Sequence, residues 1–169
     1  MNPVLAAWNE APETSALDAM LACCSARRWA QSMVALRPFQ TVETLSLTAD
    51  EVWSTMEEAD WLEAFAGHPR IGERKPASQP GRSAAWSEQE QSGASVAPNN
   101  VLTQLAAGNA TYEQRFGFTY IVCATGKSAD EMLGILERRL ANDRAAELRE
   151  AAEQQRQITQ IRLRKWLME

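Results

Sequence analysis

Apolar residues recur at helical spacing along almost the whole of this 169-residue chain, and one stretch breaks the rhythm. Leu17, Met20, Leu21 and Cys24 mark one short helix, and Trp29, Met33 and Leu36 mark the next, which Pro38 stops. Thr48-x-x-Glu51 reads as a capping box opening a helix through Val52, Trp53 and Met56. A short helix over about 60–66 ends at Gly67-His68-Pro69. Residues 70–86 are rich in Gly, Pro and Ser and read as a long loop. A short helix over 87–93 and a longer one from about 100 to 115 follow. The exception is Phe116–Ala124, FGFTYIVCA, a β-like run that Gly126 closes. Ser128-x-x-Glu131 caps the next helix, and Asp143 opens a long one through Leu148, Ile158, Ile161 and Trp166. The pattern predicts an all-α fold: a single-domain multi-helix bundle over 1–169, with a long C-terminal helix and one short extended segment near 117–123.

Composition narrows what such a bundle can do. Apolar residues make up 45% of the chain, ample for a packed core, and six Trp supply large surfaces for that core and for pocket walls. A net charge of −5 argues against nucleic acid or an anionic membrane as partner, since either needs a clustered basic face. No apolar run is long enough to span a bilayer, and the N-terminus lacks the basic region of a secretory signal. Cys23, Cys24 and Cys123 form no disulfide framework, which fits a reducing cytoplasmic setting.

Three places offer chemistry. His68 is the one histidine, and the proline after it pushes it out of helical geometry at a helix end. An unperturbed imidazole titrates near neutrality, which suits proton transfer, although a histidine capping or packing at a helix end is the plainer reading. In Ser87-Glu88-Gln89-Glu90-Gln91-Ser92-Gly93, helical spacing puts the Ser87 hydroxyl, the Glu90 carboxylate and the Gln91 amide on one side. Ser87-x-x-Glu90 is equally a capping box. Arg162, four residues from both Ile158 and Trp166, belongs to an apolar helix face, where a guanidinium needs a carboxylate, carbonyls or a bound anion; the alternative is a rim arginine that snorkels outward. One histidine and no CxxC pair make a zinc site improbable. No Gly-rich phosphate loop and no GxSxG elbow occur.

Taken in order, these sites and their neighbours resemble the 2-oxo-4-hydroxy-4-carboxy-5-ureidoimidazoline (OHCU) decarboxylase family. The matching segments are Phe65-x-Gly67-His68-Pro69-Arg70-Ile71-Gly72 and Ser87-x-x-Glu90-Gln91-x-Gly93-Ala94. Tyr112-x-x-Arg115-Phe116-Gly117-Phe118, Ile121-Val122-Cys123, Arg139-Leu140-x-Asn142 and Ile158-x-x-x-Arg162-Leu163 continue the match, which runs from about residue 10 to 167. Glu88-Gln89 duplicates Glu90-Gln91, but only Glu90 has Ser at −3 and Gly at +2.

The resemblance implies a cytoplasmic, homodimeric, all-helical carboxy-lyase with no metal or organic cofactor. It acts on a small ureide in the last step from urate to (S)-allantoin. It implies His68, Glu90 and Arg162 as catalytic residues, with Pro69, Ser87 and Gln91 touching substrate. Phe118, Tyr120, Ile121 and Val122 would line the pocket, largely through backbone groups. The chain stops at Trp166-Leu-Met-Glu, without the peroxisomal ending common in plant and animal relatives, which fits a bacterial enzyme. A helical interaction module and a hydrolase of the preceding 5-hydroxyisourate are the rival readings.

Overall fold

Asn2 opens the first helix: its side-chain oxygen accepts the Leu5 N–H at 3.0 Å, and Pro3 takes the first helical position, where a missing N–H costs nothing. This helix, α1 (Pro3–Glu10), escaped the periodicity reading, although Asn2-Pro3 is a start signal. The computed structural model describes residues 1–72, 81–95 and 97–169. Among these residues the protein forms ten helices and no strand, so the all-α expectation holds. No helix is long and apolar enough to cross a membrane, again among the described residues.

The chain divides into two compact units. The first comprises residues 1–64 and 156–169. It holds α1, α2 (Glu13–Cys23), α3 (Arg27–Ala35), α4 (Val42–Ser54), most of α5 (Glu58–Ala66) and the end of α10 (Arg144–Leu167). Its core is built on tryptophan. Trp8 stacks on Phe39 with centroids 6.0 Å apart and meets Trp166 edge-on at 5.7 Å. Two buried indole N–H groups are satisfied, Trp8 donating to Ala16 O at 3.0 Å and Trp29 to Ala49 O at 3.1 Å, while that of Trp61 finds no acceptor among the described residues. Here the sequence reading needs correction. Thr48 lies inside α4, which starts six residues earlier, where the Thr41 side chain accepts the Thr44 N–H at 3.0 Å.

The second unit, residues 65–155, holds the end of α5, α6 (Gly81–Glu90), α7 (Ser92–Ser95), α8 (Asn99–Phe116), α9 (Ala129–Arg139) and the first part of α10. The predicted loop is too long, because α6 already begins at Gly81; of its remainder, residues 70–72 are described and residues 73–80 lie outside the described residues. The expected helix over 87–93 is the end of α6 followed by α7. Gly117, at φ +84°, ends α8 in the left-handed conformation and starts the extended segment. Phe116, Phe118 and Tyr120 then alternate onto a core centred on Tyr112, with ring centroids 4.7, 5.8 and 5.3 Å from it. The Ser128–Glu131 capping box is formed as expected, and Asp143 caps α10 by accepting the Ala146 N–H at 2.7 Å.

Candidate active site

His68 stands just beyond the end of α5, with its ring Nε2 2.6 Å from Gln155 Oε1. An amide oxygen can only accept, so Nε2 carries the proton in this contact. Gln155 is buried on α10, and its carbonyl thereby selects the tautomer and orientation of the imidazole.

The turn after His68 is fixed residue by residue. Pro69 is buried. Arg70 makes a two-bond fork to Glu113 of α8, at 2.6 and 3.0 Å. Ile71 C=O accepts from Asn109 Nδ2 at 3.3 Å, and Gly72, at φ +88°, donates its N–H to Gln91 Oε1 at 2.9 Å. That last bond ties the His68 turn to the end of α6, which carries Ser87 and Glu90. Ser87 and Glu90 are buried, at 3% and 8% exposure, whereas Glu88 and Gln89 are exposed. Ser87 is inside α6 and not at its start, so it is not the N-cap of that helix; its hydroxyl shares a helix face with Glu90. Gln91, its oxygen engaged by Gly72, keeps its NH2 as a donor. His68, Ser87, Glu90 and Gln91 all belong to the second unit, and the Gly72–Gln91 bond is the link between their two segments.

The extended segment is in the same unit. Phe118 packs against Phe65 at 5.5 Å between centroids. Tyr120 is a core residue whose hydroxyl donates to Met132 O at 2.9 Å. Ile121 C=O accepts from Arg139 Nη1 at 2.6 Å, and the Cys123 N–H donates to Gln154 Oε1 at 2.8 Å. Val122 is buried between them. Burial, then the hydrogen bond to Glu147, raises the Tyr112 hydroxyl above the usual phenol range, and burial does the same for Tyr120. Both stay protonated.

Arg162 belongs to the first unit. It is 2% exposed, and its Nη1 is 3.4 Å from Ala22 O. The expectation of an arginine on an apolar helix face therefore holds, and the outward-snorkelling alternative does not. Sequence reasoning missed Gln155 and the turn-holding pair Asn109 and Glu113. The signals were faint: Gln155 precedes Arg162 by two helical turns, and Asn109 and Glu113 are four apart on α8.

An oriented imidazole on one segment and a carboxylate, a hydroxyl and an amide on the segment hydrogen-bonded to its turn are groups that acid–base chemistry on a small polar molecule uses. The chain belongs to the OHCU decarboxylase family, whose model matches residues 9–164. It is 36% identical over 150 residues to the uric acid degradation bifunctional protein of Arabidopsis thaliana, covering 88% of this chain but 46% of that protein. With the 2-oxo-4-hydroxy-4-carboxy-5-ureidoimidazoline decarboxylase of Amia calva it shares 28% identity over 127 residues, 75% of this chain and 73% of the other. A crystal structure of OHCU decarboxylase in the presence of (S)-allantoin superposes with a TM-score of 0.77 at 31% identity, covering 90% of this chain and 99% of that one.

Proposed function

We propose that this protein decarboxylates 2-oxo-4-hydroxy-4-carboxy-5-ureidoimidazoline to (S)-allantoin and CO2. The observation that carries the reading is the Gly72–Gln91 hydrogen bond, which joins the turn bearing His68 to the helix bearing Ser87 and Glu90 within a chain of this family. The reaction needs no cofactor on this reading, because the substrate supplies its own electron sink. The bond to the carboxylate breaks, and its electron pair moves into the unsaturated C–N group of the ring. The ring nitrogen that receives the pair takes up one proton from solvent, the hydroxyl loses its proton to become the carbonyl, and the ring carbon bearing the ureido group gains a proton on one face.

The protein's part is to orient, to polarise and to move protons. His68 relays protons near the hydroxyl and the departing carboxylate. Glu90 accepts from N–H groups of the ureide, and Ser87 and Pro69 contact it. Gln91 donates through its NH2 to a substrate oxygen, since its own oxygen already holds Gly72. Arg162 holds an anionic or carbonyl oxygen through paired N–H donors. Main-chain groups of Phe118, Tyr120, Ile121 and Val122 line the pocket. Three buried free cysteines fit a cytoplasmic enzyme, which acts as a homodimer.

Circular dichroism of the allantoin formed with urate oxidase and a hydroxyisourate hydrolase tests this directly. A fast rise of the (S) signal, falling at least 100-fold in His68→Gln and Glu90→Gln, is the expected result. Racemic product from folded wild-type protein would overturn the reading in favour of a helical interaction module or a hydrolase.

A further inference from the structure

Two motifs that carry the family likeness, Tyr112-x-x-Arg115-Phe116-Gly117 and Arg139-Leu140-x-Asn142, take no part in the chemistry above. Their side chains meet in one buried network. Arg139 and Glu147 are 1% and 0% exposed. Arg139 Nε donates to Glu147 Oε1 at 2.6 Å, and Nη2 lies 2.5 Å from the same oxygen. Glu147 also accepts from the Tyr112 hydroxyl at 2.6 Å and from Asn142 Nδ2 at 3.1 Å. Burial works against the Arg139 cation, but the hydrogen bond and charge of Glu147 outweigh it and hold the guanidinium above its ordinary range. The Tyr120 ring, 4.9 Å from the guanidinium carbon, closes one side.

One donor of this fork leaves the network. Arg139 Nη1 reaches the Ile121 carbonyl at 2.6 Å, in a segment that has no strand beside it among the described residues. The Ile121 carbonyl and the Val122 N–H belong to one planar trans peptide and point in opposite directions. Fixing the carbonyl on Arg139 therefore aims the Val122 N–H the other way. Cys123, the next residue, is pinned by Gln154 at its N–H and by Lys127 Nζ, 2.7 Å from its carbonyl. Among the described residues no hydrogen bond reaches the Val122 main chain, although Val122 is only 4% exposed. Buried main-chain groups are nearly always paired, so a donor left open between two pinned carbonyls is a recognition group awaiting an acceptor.

We propose that Arg139 and Glu147, braced by Tyr112 and Asn142, are positioning residues that aim the Val122 N–H at an acceptor oxygen of the ureide. The inference rests on the decarboxylase reading and adds the device that holds its backbone contact. The guanidinium is suited to the task because it can grip a carboxylate and a carbonyl at once, which the single ammonium of lysine cannot do in the same geometry.

The test compares wild type, Arg139→Lys and Tyr112→Phe, with kcat and KM taken from (S)-allantoin formation well below each variant's unfolding temperature. Arg139→Lys should raise KM about 10-fold with kcat within about 3-fold, and Tyr112→Phe should raise it about 2–3-fold. Amide exchange at Val122, followed by NMR with (S)-allantoin as probe, should show protection by the ligand in wild type and weaker protection in Tyr112→Phe. Tyr112→Phe and the exchange readout decide the matter if Arg139→Lys does not fold. A purely structural network would lower the unfolding temperature and leave KM and ligand protection unchanged, which overturns the proposal. An inactive wild type would instead sink the decarboxylase reading, and this inference with it.

Discussion

At Cys24 the thiol is 1% exposed, and burial pushes its pKa from 9.0 up to about 11, against the opposing pull of a backbone contact at Ala26, of Thr159 and of the Arg162 charge. The folded protein therefore holds this proton more tightly than the unfolded chain does. The contribution is intact below about pH 9 and is lost as pH climbs through about 11. At about 1.4 kcal/mol per pKa unit, the loss attributable to this thiol approaches 3 kcal/mol. Denaturant titrations between pH 8 and 11 should show a steeper fall for wild type than for Cys24→Ala, and equal slopes would refute the assignment. Tyr112 and Tyr120, also raised, add to the alkaline loss in both proteins. At this same scale, residue type and spacing marked His68, Glu90 and Arg162 as candidates beside plainer structural readings, and the resemblance to the family selected them. Gln155 was not legible. A glutamine on a helix acquires meaning only from its partner, and here that partner lies 87 positions away in sequence.

Helix ends show where local pattern suffices and where it misleads. Ser128-x-x-Glu131 and Asp143 sit at true starts. Thr48-x-x-Glu51 has the same lettering but lies inside α4, because the chain had already entered the helix at Thr41 and a Thr can occupy a helix interior. The Gly-rich stretch before Ser87 hid the start of α6, since Gly81 is an acceptable helix residue once its neighbours Ser83, Ala84 and Trp86 are buried. The glycine of the Ser87–Ala94 motif has a packing cause that sequence alone could not supply. A Cβ at Gly93 would collide with the Lys127 carbonyl oxygen and stand 3.3 Å from Ser128 Cα, against the cap of α9. Backbone is the obstacle, so α7 or the cap must shift. Gly93→Ala should cost about 1–3 kcal/mol, roughly 3–10 °C in Tm by thermal unfolding. Gly134, on α9, is the control: a Cβ there would meet nothing within 4 Å, and Gly134→Ala should leave Tm unchanged or raise it slightly.

At the scale of the whole molecule, each compact unit has its own aromatic core, and the first also bears an apolar groove of about 390 Å³. Val42, Leu45, Leu47 and Leu163 line it, with Glu43 and Arg164 beside them. Leu47 is 66% exposed, and among the described residues neither Glu43 nor Arg164 has an ion-pair partner. A two-fold axis through such a surface makes it its own complement: Glu43 of one copy meets Arg164 of the other, and the reverse. The proposed homodimer has a natural face here, with apolar area at its centre and opposite charges at its rim. Sedimentation velocity across a protein dilution series tests it by charge swap. Glu43→Arg alone sets like charges together and should weaken association by at least 10-fold. Adding Arg164→Glu should restore it, because the attraction is re-formed with its signs exchanged. A wild type that stays monomeric throughout would remove the homodimer. A wild-type dimer indifferent to the single swap would move its interface to another face, since only contact across the axis makes the two substitutions compensate.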